Sequence, residues 1–177
     1  MTKSVKEIID NIKNDNSAVV NVKEWKEFNI GKLFNPVIAA SSDISKLDDG
    51  NIPFIGRSAF NNGLQKYVQS DKITAGKCIT ISMVGTYIAY WQEKDFIASQ
   101  NILVLRNENV NQFIGLFLSS IFNKIIHDKY SYSHTLGKEA FAIEIIKLPV
   151  DKNGNPDWKY MNDYIANIYK YLDKTGG

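Results

Sequence analysis

The sequence predicts an α+β domain: a twisted, mostly antiparallel β-sheet or barrel-like core with helices, followed by a C-terminal helix. Three observations predict it. Between Lys77 and Arg106 lie three short runs dense in branched and aromatic residues, divided by turn residues. From Asn111 to His127 the period changes, and apolar residues cover most of a helix circumference. From Trp158 to Leu172 apolar residues step by three and four, a heptad seam. With 177 residues, 44% of them hydrophobic, the chain can bury a core without disulfides or metals.

Taken in order, Ser4-Val5-Lys6-Glu7 fits a capping box, in which hydroxyl and carboxylate satisfy free N–H groups at a helix start. Val5, Ile8, Ile9 and Ile12 continue at helical spacing. From Ala18 to Phe34 the pattern suits short strands carrying Trp25, Phe28, Ile30 and Leu33. Ala39 to Asn51 reads as a polar loop. Ile52-Pro53-Phe54-Ile55 reads as a short edge strand or strand start, because Pro53 lacks a ladder N–H. Asn61-Asn62-Gly63 is a turn.

Cys78–Val84 and Tyr87–Trp91 form strands around a break at Gly85-Thr86, and Ile102–Leu105 form a third. Phe54, Trp91, Phe113 and Phe117 read as core. After the long helix, Tyr130 to Leu136 is a polar-aromatic loop and Ala142 to Val150 a strand. Asp151 to Pro156 is a tight turn, with Asn155 capping a helix that has Pro156 in its first position. Trp158, Met161, Ile165, Ile168 and Leu172 then want a second helix, since the seam is too short to stand alone.

Composition excludes several classes. Lys+Arg is 21 and Asp+Glu 19, so the protein is not polybasic, although a basic face can hide in that balance. One cysteine, Cys78, and two histidines leave no zinc site of the usual kind; Cys78 lies in an apolar run and reads as an inert core thiol. The N-terminus has no signal-peptide apolar region, and no apolar run reaches membrane length, so the expected compartment is the cytoplasm.

Catalytic patterns are lacking: no phosphate-binding G-x-x-x-x-G-K-[ST], no H-E-x-x-H, no G-x-S-x-G. Asn155-Pro156-Asp157-Trp158 lacks the second proline of an amino-methyltransferase loop. Glu24-Trp25-Lys26 and Asp157-Trp158-Lys159 match half of a nuclease metal motif, a match common by chance.

Four ordered segments resemble the target recognition domains of type I restriction-modification specificity subunits and of related fused restriction-methylation enzymes. They are Trp25–Phe34; Ile52–Ser58 with Asn61-Asn62-Gly63; Thr80–Gly85 with Ala89–Gln92 and Phe96–Ser99; and Lys147–Val150 with Asn153-Gly154 and Pro156-Asp157-Trp158 through Met161 and Tyr164. The set spans roughly residues 25–172. Ser133 and His134 stand where such domains often carry a glycine and a basic residue.

The capping box and spacing predict an N-terminal helix over 1–17; with the resemblance, the expected divisions beyond it are a recognition domain over 18–150 and a spacer helix with tail over 151–177. It implies sequence-specific binding of double-stranded DNA, with no cofactor and no catalysis. A methyltransferase subunit and a restriction subunit would be the partners. One domain with one spacer is what half of such a subunit holds, whether a half-length subunit that homodimerises through the C-terminal helix or an excised domain. The competing readings are an adaptor or inhibitor of restriction-modification assembly, and a nuclease or methyltransferase fragment.

Candidate DNA contacts lie in loops. Arg57, Ser58, Asn61 and Asn62 sit around one turn, and Arg and Asn suit guanine and adenine edges. Lys66, Lys72 and Lys77 suit phosphates. Thr86, Tyr87, Tyr130, Tyr132, Ser133, His134 and Lys138 complete the face.

Overall fold

The computed structural model describes residues 22–175. The expected helix over Ser4–Ile12 lies outside them. The described residues form two units, one spanning Phe28–Ile146 and the other made of residues 22–27 with 147–175.

The larger unit is built on open sheets; no closed barrel forms among the described residues. Strands β2 (Val37–Ile38), β5 (Cys78–Ser82), β6 (Ala89–Gln92) and β8 (Ile102–Leu105) make a four-stranded antiparallel sheet in the order β2-β8-β5-β6. A second sheet has the order β4-β3-β7, from Leu64–Val68, Asp49–Ile55 and Ile97–Ala98. Here β3 runs antiparallel to β4 and parallel to β7. Every residue of β5 and β8 is buried; β8 reads as an unbroken apolar run, and in β5 Thr80 and Ser82 are buried with the apolar residues. Ile55, Cys78, Phe96, Ala98, Ile102 and Val104 form the core cluster between these strands.

Strand β1 (Lys26–Asn29) pairs with β9 (Ile145–Leu148) in a two-stranded ribbon. Among the described residues four α-helices follow the chain: α1 (Ile30–Phe34), α2 (Gln112–Lys129), α3 (Lys138–Ala142) and α4 (Trp158–Thr175).

Helix α2 starts where expected, with the Asn111 carboxamide accepting from the Ile114 N–H at 3.0 Å. It rests on β6 through Gly115: a Cβ there would lie 2.2 Å from Cε3 of the buried Trp91 ring. Two turns further on, the Asn123 carboxamide bonds both backbone groups of Ala89, accepting from its N–H at 2.6 Å and donating to its carbonyl at 3.0 Å. Phe122 meets Phe34 of α1 and Phe141 of α3 edge-on, each with centroids 5.6 Å apart.

Several expectations are corrected. Ile30–Phe34 is a helix rather than a strand, because Asn29 caps it by accepting from the Lys32 N–H at 2.9 Å and Asn35 closes it at φ 43°. The strand through Pro53 begins at Asp49 and is the middle strand of its sheet; Pro53 is tolerated because pairing with β7 begins only at Phe54. The strand from Cys78 stops at Ser82, and β6 begins at Ala89 because Tyr87 takes φ 47°. Ala142 ends helix α3, leaving β9 shorter than expected. Helix α4 is capped by Asp157, whose carboxylate accepts from the Tyr160 N–H at 2.8 Å, while Pro156 bridges back to Val150. Asn155 instead completes the turn, donating its backbone N–H to the Asp151 carboxylate at 2.9 Å.

In the smaller unit, Met161 of α4 is fully buried, and Trp158, Ile165 and Ile168 are half-buried. Leu172 is 44% exposed.

Replacing Gly115 by alanine drives a methyl group into the Trp91 ring. We expect a loss of about 1–3 kcal/mol, read as a lowered chemical-denaturation midpoint followed by tryptophan fluorescence. An unchanged midpoint would contradict this account of how α2 sits on β6.

Candidate nucleic-acid interface

The loop from Gly56 to Gly63 is tied to β6 at several points. Asn61 and Asn62 take left-handed conformations at φ 50° and 56°, and Gly63 follows at φ 80°. Asparagine tolerates this region better than most side chains. The Asn62 Nδ2 donates to the Trp91 carbonyl at 2.8 Å and to Gln92 Oε1 at 3.1 Å. Gln92, 5% exposed, returns the bond by donating to the Asn62 carbonyl at 3.0 Å, and donates also to Thr80 Oγ1 at 3.0 Å. The Tyr90 hydroxyl donates to the Ala59 carbonyl at 2.7 Å. Gly56 donates to the Gly63 carbonyl at 2.9 Å and closes the base of the loop. The tip carries Phe60, 77% exposed, with its N–H held by the Ser58 hydroxyl at 3.1 Å.

This bracing separates residues that are neighbours in sequence. Arg57 lines a polar cleft of about 330 Å³ with Ser42, Asp43, Gln65, Ser99 and Gln100. Asn61 and Asn62 border a different depression of about 230 Å³, with Pro53, Tyr67 and Lys94. Phe54 lines the first and Pro53 and Ile55 the second, so the two lie on opposite faces of the β3–β4 pair. The Asn62 amide is engaged within the fold, leaving Asn61 as the outward carboxamide of that turn.

The lysines also divide. Lys66 donates to the Leu47 carbonyl at 3.2 Å and pairs with Asp49 at 3.5 Å. Lys72 is exposed. Lys77, at φ 50°, borders a third depression of about 460 Å³ that also holds Glu93 and Glu108. Lys138 pairs with the neighbouring Glu139 at 3.3 Å. Thr86 hydrogen-bonds the Ser82 hydroxyl at 3.2 Å in a turn that Gly85, at φ 84°, and Tyr87 shape.

After α2 the chain makes a tight turn, with Ser131 and His134 exchanging backbone bonds of 3.0 and 3.1 Å. This projects Tyr132, 96% exposed, with Ser133 beside it. The base of the turn is anchored. Tyr130 is 7% exposed and donates its hydroxyl to Glu144 at 2.9 Å, and Lys129 pairs with the same carboxylate. Burial first, then the Glu144 carboxylate, push the Tyr130 phenol well above its ordinary range. His134 lies over the Tyr130 ring at 5.6 Å.

Gln65, Gln100, Ser42 and Ser99 carry polar groups into the Arg57 cleft, and the sequence offered no signal for them. Among the described residues no cluster of three or more metal-ligating side chains occurs.

Small sheets carry braced, exposed polar loops, an arrangement in which rigid elements hold loop side chains in place. The chain belongs to the type I restriction modification DNA specificity domain family, matching it over residues 22–173. It is 26% identical over 152 residues to the specificity subunit S.BcgI of a type II restriction enzyme from Heyndrickxia coagulans, covering 81% of this chain and 43% of that protein.

Solved structures that share the fold include the following two. The HsdS subunit from Thermoanaerobacter tengcongensis aligns at TM-score 0.62 and 12% identity, over 96% of this chain and 44% of the other. The type I restriction-modification S subunit from M. genitalium aligns at TM-score 0.62 and 14% identity, over 96% and 47%. The chain thus spans less than half the length of each of these relatives.

Two outcomes test the bracing. Asn62→Ala removes the amide bonds and strains the backbone, whereas Asn62→Gly removes the bonds alone. Both should speed amide exchange across residues 57–63, with Asn62→Ala losing more stability, about 1–3 kcal/mol. Separately, burial pushes the Cys78 thiol from its ordinary 9.0 up to about 11, with Arg106 opposing and Asp95 adding to the shift. The unfolded chain releases this proton first, so stability falls as pH rises from about 9 toward about 11. Cys78→Ala should flatten that fall in melts across this range, and native alkylation at pH 8 should be slow.

Proposed function

We propose that this chain binds duplex DNA sequence-specifically and reads a short half-site. It does so without catalysis or a cofactor of its own; methylation and cleavage reside in a methyltransferase subunit and a restriction subunit that it directs. The observation that carries this reading is the clamped Gly56–Gly63 loop on a chain of the DNA-specificity family. A loop already ordered in the free protein loses little conformational entropy on binding. Arg57, Ser58 and Asn61 then serve as base or backbone contacts, Lys72 and Lys77 as phosphate contacts, and the Tyr132-Ser133 tip as a second contact.

The recognition domain runs from 18 to 150, and 151–177 acts as spacer and tail. Heptad spacing in α4 supports a helical partner, supplied by another spacer or by a second copy of the chain. The cytoplasm, where the DNA lies, is the expected compartment, and among the described residues no helix is long and apolar enough to cross a membrane.

Selection from a randomised duplex library with the purified chain tests the reading. We expect enrichment of one short site and a steep linear fall of log affinity with log salt. Lys72→Ala and Lys77→Ala should each weaken all sequences alike and reduce the slope by about 1. Absence of binding at low salt would overturn the DNA reading and leave the adaptor role.

A further inference from the structure

Resting on the DNA-binding reading above, we infer that Gln65 is a specificity-determining residue. Together with Arg57 it reads the major-groove edges of adjacent purines, Gln65 pairing an adenine and Arg57 a guanine.

The placement of Gln65 comes from the strand pairing. Phe54 pairs with Lys66 and Ile55 with Leu64, so Gln65 is the extra residue of a β-bulge. Bulges re-aim a side chain out of the regular alternation. Here the bulge brings Gln65 into the Arg57 cleft, across the bare backbone of Gly56. A Cβ on Gly56 would lie 2.3 Å from the Gln65 Oε1, so glycine makes room for the amide to lie there. Arg57 lines the same cleft, at the start of the loop that β6 braces.

The chemistry of the cleft suits base edges better than phosphate. A phosphate site wants donors alone. This cleft mixes the Arg57 guanidinium, which only donates, with the Gln65 and Gln100 amides, which donate and accept, and with the Asp43 carboxylate, which only accepts. Asp43 is already bonded by the Ser45 N–H and hydroxyl at 3.1 and 2.8 Å. Among the described residues none hydrogen-bonds the side chains of Arg57, Gln65 or Gln100. Gln bidentate to adenine and Arg bidentate to guanine are the pairings this set can make.

The test measures affinities of the full chain, wild type and variants, for the selected duplex and every single-base-pair change of it. Gln65→Ala should lose about tenfold or more of the discrimination at one A·T pair. Gly56→Ala should lose discrimination at the same pair with Gln65 intact, because its methyl group displaces a flexible amide and its backbone lies outside the left-handed region. Arg57→Ala should relax an adjacent G·C pair. Thermal melts confirm that each variant is folded.

If the wild type discriminates and folded Gln65→Ala and Gly56→Ala discriminate equally well, the inference fails and the DNA-binding function stands. A uniform loss across all sequences would make Gln65 a backbone contact and overturn the inference as well. A wild type without sequence preference would overturn the function and the inference together.

Discussion

The structure depends on how the open edge of β6 is satisfied. In the sheet order β2-β8-β5-β6 this strand has a partner on one side only. On the other side Ala89 and Trp91 turn backbone groups outward, and a buried, unpaired group there costs about 1–3 kcal/mol. Two asparagine side chains stand in for the missing strand. Asn123 of α2 takes both groups of Ala89, and Asn62 takes the Trp91 carbonyl. One requirement thereby fixes the long helix at one end of the strand and the candidate contact loop at the other.

Burial and polarity cooperate in this arrangement. Gly115 lets α2 come down on the Trp91 ring, and Phe122 gathers α1 and α3 around the same helix. On the loop side the bonds are directional, so they hold orientation as well as position: Gln92 and Asn62 exchange two bonds and Thr80 orients the glutamine. The second projecting turn is built the same way, with an exposed tip at Tyr132 above a buried anchor of Tyr130, Lys129 and Glu144.

Elements with strong periodicity were legible in the sequence. The runs that became β5 and β8, the helix from Asn111, the turn at Asn61-Asn62-Gly63 and the C-terminal helix are all present, although β5 ends two residues early at Ser82 and the last helix starts at Trp158 under an Asp157 cap. Short elements were not. Ile30–Phe34 is a helix because Asn29 and Asn35 cap it, and β7 is two residues long and exists through its parallel partner. The site was legible by residue type and not by grouping. Arg57 and Asn61 stand four apart, yet they face different depressions because a strand pair runs between them. Gln65 left no trace, since a bulge belongs to a pair of strands and not to either one.

The ribbon of β1 and β9 sets Lys26–Asn29 beside Ile145–Leu148, so the chain comes in and leaves at one place. Everything from Phe28 to Ile146 hangs from that doorway. Both ends of this unit meet at one two-stranded ribbon, so a change within its loops leaves the two chain connections paired as they are.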